Sequence, residues 1–237
     1  MNPWLNRLFF SVFPGKCIIC KAATHRHLDL CGGCQRSFPY SKHPCWQCGL
    51  ETKGPGDICD ACLRLPPPYS HCFGLFRYEA PIDILISQFK TGHKLAVGRV
   101  LSILLSRAYQ RSHIMTPQFW IPVPLHRRTL RDRGFNQALE IAQVLTEFTR
   151  VPTLGKALRR IKDTKAQKQL GASDRIDNIR DAFNLDIDVS GKNLAIVDDV
   201  VTTGATVAEI TRKLKANGAA DVQVICLART PTNVPHL

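Results

Sequence analysis

Apolar positions along this chain switch repeatedly between a strand-like and a helix-like period. Phe73 to Tyr78 predicts a strand, and Ala80 to Phe89 and Leu95 to Gln110 predict amphipathic helices. In the second of these, Ile103, Leu104, Ala108 and their apolar neighbours follow the 3.6-residue period of a buried helical face. Gln118 to Val123 predicts another strand and Ala138 to Phe148 another helix. Asn193 to Asp198, Val207 to Asn217 and Asp221 to Ala228 then give strand, helix, strand. Alternation of this kind predicts an α/β fold, a mostly parallel sheet with helices on both faces.

The first quarter of the chain has a different organisation. Eight of the ten cysteines fall in four C-x-x-C pairs: Cys17/Cys20, Cys31/Cys34, Cys45/Cys48 and Cys59/Cys62, with ten residues between successive pairs. A C-x-x-C turn points two thiolates at one metal ion, and two such turns complete a tetrahedral site. One pair alone would suit a redox dithiol, but four at constant spacing in a reducing compartment predict two structural Zn2+ ions rather than disulfides. Adjacent pairing gives two tandem ribbons and alternating pairing a cross-braced module; the tandem form is favoured because each ribbon closes locally. Cys226, in an apolar run, reads as a core residue, and Cys72 also lies outside the pattern. His25 and His27 read as surface-loop histidines rather than ligands. Leu65-Pro-Pro-Pro-Tyr69 cannot continue a helix or a central strand and reads as a stiff linker. It divides an N-terminal segment and double ribbon, residues 1–68, from a second domain, residues 69–237.

With 237 residues, the chain is long enough for one α/β domain plus a small module. Lys and Arg exceed Asp and Glu by 32 to 19, a formal charge of +13, which suits an anionic partner. His126 to Arg133 holds four arginines in eight residues, and Lys156 to Lys168 six basic residues against the single acid Asp163. Pro122 and Pro124 interrupt regular pairing, so the first cluster is expected to begin as a loop. It is either an anion-holding turn or a solvated basic loop. The segment from Arg160 through Asn178 is polar, without apolar periodicity, and reads as a lid. No apolar run nears the roughly 20 residues of a spanning helix. The apolar start, Trp4 to Phe13, is interrupted by Asn6 and Arg7 and leads at once into the cysteines, without a cleavage site. It reads as a short helix against the protein, a partner or a membrane surface. The expected location is the cytoplasm, with the inner face of the membrane as a peripheral site.

Residues 194–206, Leu-Ala-Ile-Val-Asp-Asp-Val-Val-Thr-Thr-Gly-Ala-Thr, carry the most specific chemistry. An apolar strand is expected to end in Asp198 and Asp199. A Thr/Gly loop follows, and Thr206-Val-Ala-Glu209 has the spacing of a capping box that opens a helix. Gly218 is placed to close it in a left-handed conformation. Backbone N–H groups and the helix's positive end suit a phosphate, and the carboxylates can accept hydrogen bonds from sugar hydroxyls. Neither G-x-G-x-x-G nor G-x-x-x-x-G-K-[ST] is present, which favours a ribose phosphate over a dinucleotide. The segment resembles the signature of type I phosphoribosyltransferases.

Taken with the four C-x-x-C pairs, two further stretches narrow this resemblance. One is Pro122-Val-Pro-Leu-His-Arg-Arg128 with Arg133-Gly-Phe-Asn-Gln137. The other is Arg160-x-Lys162-x-Thr164-x-x-Gln167-x-x-Leu170, with Arg175, Asn178 and Ala182-Phe183. From Cys17 to Arg229 the pattern resembles the ComF family. The resemblance implies a double zinc ribbon on a type I phosphoribosyltransferase-like sheet. Asp198 and Asp199 would lie near the ribose hydroxyls, Thr202, Thr203, Gly204, Ala205 and Thr206 would form the phosphate cradle, and Val200 and Val201 would complete the substrate-binding stretch. Arg127, Arg131 and Arg133 would sit near pyrophosphate and Mg2+, and Lys162, Thr164 and Gln167 in a mobile loop. The implied ligand is phosphoribosyl pyrophosphate or a similar ribose phosphate. The implied role is single-stranded DNA handling in natural transformation, with DNA-uptake proteins as partners, or use of external DNA. Two alternatives stay open: a metabolic nucleobase phosphoribosyltransferase, and a zinc-ribbon adaptor without turnover. Phe135 and Trp46 are candidate base-stacking aromatics, whereas Trp120 reads as core. No residue identifies an acceptor, and whether turnover occurs is left open.

Overall fold

The computed structural model describes residues 15–24, 27–162 and 181–231. The apolar start, His25, Thr164 and Gln167 lie outside the described residues. In chain order the elements are β1 (Gly15–Lys16), β2 (Ala23–Thr24), α1 (Gly32–Arg36), α2 (Asp60–Arg64), β3 (His71–Arg77), α3 (Ile82–Thr91), α4 (Leu95–Arg111), β4 (Phe119–Pro122), α5 (Arg127–Arg133), α6 (Gln137–Thr149), β5 (Leu158–Arg160), β6 (Phe183–Leu185), β7 (Asn193–Val201), α7 (Ala205–Ala216) and β8 (Asp221–Arg229). The frame is a four-stranded sheet in the order β3-β8-β7-β4, parallel throughout.

β7 and β8 are apolar on both faces because both faces are covered. On one side Phe76, Val197, Ile225 and Leu227 pack with Ile86 and Phe89 of α3, Leu101 and Leu105 of α4, and Ile141 and Leu145 of α6. On the other, Ile196, Val224 and Cys226 pack with Val207, Ile210 and Leu214 of α7. Each fully buried side chain of this size contributes roughly 1.5–3 kcal/mol. The parallel sheet with helices on both faces is therefore the observed fold, and Trp120 is fully buried in it.

Several local expectations change. β7 does not end before the acids: it runs through Asp198 and Asp199 to Val201, because Val200 and Val201 still pair with Ala228 and Arg229. The basic segment begins as a helix, α5, rather than a loop. His126 caps it by accepting the Arg128 N–H, and Gly134 ends it at φ 79°. Pro122 nevertheless sits in β4. Trp120, two residues earlier, donates its N–H away from β7 to Pro152, so the missing N–H of Pro122 faces that outer side. The expected capping box does not form. Gly204 is the N-cap of α7 and no side chain caps it, while Glu209 accepts the N–H of Asp181 instead. Gly218 does take the left-handed conformation, φ 86°. The antiparallel pair β5–β6 stands apart from the main sheet and has no counterpart in the sequence reading.

The cysteine-rich module lies along the outer edge of β3. Ser41 donates to the Leu75 carbonyl at 3.0 Å and Arg77 to that of Pro39 at 2.9 Å, on either side of a Tyr40–Phe76 bridge. Leu28, Leu30 and Phe38 join the same apolar cluster as Phe76. An edge strand that would otherwise present unpaired backbone groups is thereby covered.

Candidate functional site

Two cysteine tetrads form, and they use adjacent pairing: Cys17, Cys20, Cys31 and Cys34 in one, Cys45, Cys48, Cys59 and Cys62 in the other. Within each, the ligand atoms lie within 4.8 Å of one another. The Sγ atoms of Cys20 and Cys31 are 3.7 Å apart and those of Cys48 and Cys59 3.6 Å. A tetrahedron with Zn–S bonds of about 2.3 Å has edges of about 3.8 Å, so both sets fit tetrahedral zinc. The first pair of each tetrad sits in a tight turn, closed by Lys21 N–H to the Cys17 carbonyl and Gly49 N–H to that of Cys45. The second pair opens a short helix, with Cys31 and Cys59 as N-caps. Backbone N–H groups of Cys34 and Cys59 point at the Cys31 and Cys45 sulfurs at 3.4 and 3.3 Å, which favours thiolates. All four positions are filled by protein, so the sites are structural rather than catalytic.

Gly49 shows why the second ribbon approaches the sheet so closely. It has φ 72°, and a Cβ there would stand 3.0 Å from the Cys72 carbonyl oxygen of β3. Cys72 and Cys226 are both buried and unbridged, as core residues rather than ligands.

The second constellation lies at the carboxyl end of β7. β4 and β7 are neighbours, yet α6 packs on one face of the sheet and α7 on the other. This is a topological switch point, where open parallel sheets leave a crevice for ligands. Adjacent residues of a strand leave on opposite faces, so Asp198 and Asp199 have different surroundings. Asp199, only 6% exposed, is held by Lys90 of α3, with Nζ 2.7 Å from Oδ2. Asp198 accepts the Asp199 N–H at 2.8 Å. Loss of hydration, and then the charge of Asp199, push the Asp198 carboxyl up to about 8, against partial relief from Lys90.

The loop after β7 turns at Gly204, φ 85°, where any side chain would be strained. Thr203 Oγ1 accepts the Ala205 N–H at 3.3 Å, and the first intrahelical bond runs from Ala208 to Gly204 at 2.8 Å. The first-turn N–H groups of α7 thus have no intrahelical carbonyl and suit an anion.

The basic residues divide. Arg127 lines a cavity of about 1010 Å3 with Leu125, His126, Phe135, Lys156 and Arg160. Arg131 and Arg133 lie on the same helix but not in its wall, and neither acid of β7 borders it. Lys162 closes the described part of the segment after β5. Phe135 packs on Phe89 at 5.5 Å, whereas Trp46 is 49% exposed and stacks on His71 at 4.1 Å.

Residues 8–63 match the double zinc ribbon domain and residues 129–236 the phosphoribosyl transferase domain. Over 222 residues the chain is 37% identical to the DNA utilization protein YhgH of Escherichia coli (strain K12), covering 92% of this chain and 98% of that one. To competence protein F of Haemophilus influenzae it is 36% identical over 228 residues, with the same coverage. The chain belongs to the ComF family. A shorter stretch of this ComF protein, 41 residues, is 49% identical to a ribose-phosphate pyrophosphokinase of Methanosarcina acetivorans, covering 17% of this chain and 14% of that one. Its tetrads and double zinc ribbon support structural zinc, and no described helix is long and apolar enough to cross a membrane.

Three residues that matter to this ComF site carried no signal in the sequence. Lys90 reads there as one cation at the end of an amphipathic helix, Tyr69 as the end of a linker, and Arg229 as the residue after an apolar strand. Only the tertiary fold brings Lys90 to Asp199, or Tyr69 and Arg229 to the loop after β7.

Proposed function

We propose that this protein binds phosphoribosyl pyrophosphate, or a related ribose phosphate, at the carboxyl end of β7 and handles single-stranded DNA beside it. The observation that carries the reading is the left-handed turn at Gly204, followed by the open N-terminus of α7, at a switch point between β4 and β7. In this reading Thr202 to Thr206 cradle the 5′-phosphate, Val200 and Val201 lead into the cradle, and Asp198 and Asp199 face the ribose hydroxyls. Arg127, Arg131 and Arg133 stand on the pyrophosphate side, and Lys162, Thr164 and Gln167 contribute to the reaction centre.

Mg2+ fits as a companion of the pyrophosphate. Lys90 already neutralises Asp199, which leaves Asp198, once it gives up its proton to the incoming cation, as the acid able to meet a metal that binds through one or two carboxylates, waters and phosphates. When bound, Mg2+ would offset charge on the departing pyrophosphate. The chain's own contribution is to orient the ribose, hold the phosphate and exclude water. The cavity beside α5 joins Arg127, Lys156 and Arg160 to the ring of Phe135, a combination suited to a nucleic-acid strand. With relatives named for DNA utilization and competence, we place the protein in DNA uptake or use of external DNA. It would work in the cytoplasm, at the inner face of the membrane, with uptake-machinery proteins as partners.

Titration of phosphoribosyl pyrophosphate and single-stranded DNA on wild type and on Asp198→Ala/Asp199→Ala tests this. The expected result is ribose-phosphate binding lost in the double variant, and DNA binding that falls with salt at a slope of about 0.7 per neutralised phosphate. Turnover of a free nucleobase at a metabolic rate would instead make it a metabolic transferase. Absence of both ligands from folded wild type would leave an adaptor.

A further inference from the structure

We infer that Arg229 ties the second cysteine tetrad to the phosphate loop, so that metal held by Cys45, Cys48, Cys59 and Cys62 sets the loop's grip on a ribose phosphate. The nature of that ligand rests on the function proposed above; the tie itself does not.

Arg229 ends β8 and is only 3% exposed. Its Nε donates to the carbonyl of Cys48, a member of the tetrad, at 2.9 Å. Its Nη1 donates to the Val201 carbonyl at 2.9 Å and to that of Thr202, the two residues that lead into the loop. No carboxylate among the described residues pairs with it. Nη2 is buried without a hydrogen-bond partner. A desolvated guanidinium is costly unless its donors are met, so carbonyl oxygens are what hold this one.

The group is planar and its donors form a rigid fork. It therefore cannot follow a displaced Cys48 carbonyl while keeping the Val201 and Thr202 carbonyls in place. On the ribbon side, metal bound by the thiolates of its own turn would hold the Cys48 peptide, and the close approach of Gly49 to the Cys72 carbonyl leaves it little room. Loss of metal removes the first of these constraints. On the loop side, those two carbonyls mark the end of β7, from which Gly204 and the first turn of α7 take their position.

A second contact runs the same way. The chain leaving Cys62 passes Pro66, Pro67 and Pro68 to Tyr69, a buried residue whose Oη lies 3.4 Å from where a Gly204 Cβ would stand. This segment shares a cleft of about 170 Å3 with Thr203, Gly204 and Arg212. Both routes out of the second ribbon thus end at one loop. Arg229 is a positioning residue: it acts through the loop backbone.

Hydrogen exchange followed by mass spectrometry, across residues 199–207, tests the tie without any ligand. Arg229→Met should retain two zinc ions and a cooperative melt, yet exchange about tenfold faster in this segment, with Arg229→Lys intermediate. Wild type should show the same faster exchange when the second tetrad is emptied by a chelator, and not when the first is emptied. Reciprocity supplies the other arm. Saturating phosphoribosyl pyrophosphate should raise the zinc affinity of the second tetrad severalfold in wild type, and leave it unchanged in Arg229→Met. Wild-type exchange in Arg229→Met, with zinc affinity indifferent to bound ligand, overturns the inference. If the ligand fails to bind wild type while the exchange changes occur, the proposed ligand falls and the tie stands. Should Arg229→Met not fold, chelation of wild type decides the matter alone.

Discussion

Asp198 keeps its proton through neutral pH because ionising it would place a second, poorly hydrated charge next to Asp199. Its pKa rises from 3.8 to about 8 on folding. Between those values the native state binds the extra proton, so stability falls as pH rises through this window. The slope contributed is at most about 1.4 kcal/mol per pH unit. Urea unfolding should therefore show less stability at pH 8 than at pH 5 in wild type, and Asp198→Asn should flatten that dependence. An unchanged slope in the variant would show that this carboxyl ionises normally. The acid pair itself was legible in the sequence as chemistry. Its division of labour was not, because Lys90 approaches only after α3 packs against the sheet.

At the level of elements, legibility followed length. β7, β8, α4 and α6 each carry enough apolar positions to display a period, and their existence and type were readable from the sequence. β5 and β6 have three residues each, too few for alternation to mark a strand. The start of α5 reads as a loop because Pro122 and Pro124 precede it, although both lie before its cap. The loop between β7 and α7 shows the converse. Its Thr/Gly composition was plain, but the cap fell to Gly204 rather than Thr206, since a backbone turn at φ 85° starts the helix without a side chain. Gly204→Ala should therefore cost roughly 1–2 kcal/mol from the left-handed conformation alone. Denaturant midpoints measure that cost, and ribose-phosphate affinity should fall with it. Full stability with full affinity would mean that the turn relaxes to accept a side chain.

On the scale of the whole molecule, the ribbons are part of the sheet's construction. Ser41 and Arg77 link the module to the β3 edge, and Phe38 and Tyr40 pack around Phe76 at 5.5 and 5.1 Å. Metal analysis should find two zinc ions per chain. Chelation should expose the β3 edge and produce association visible by light scattering, as unpaired edges do. A metal-free chain that stays monodisperse would argue that the edge is covered without zinc. The eight ligands are legible by their spacing, but not their seat, because Gly49 and Phe38 look like ordinary turn and surface residues until β3 lies beneath them.

β8 is the last described strand of the chain, yet it occupies the interior of the sheet, between β3 and β7. During synthesis the ribbons and β3 leave the ribosome long before the strand that joins them to β7. A nascent chain stopped short of Asp221 would hold two half-sheets with nothing between them. Arg229, at the far end of that strand, would arrive later still. The loop would gain its backing only after β8 is made.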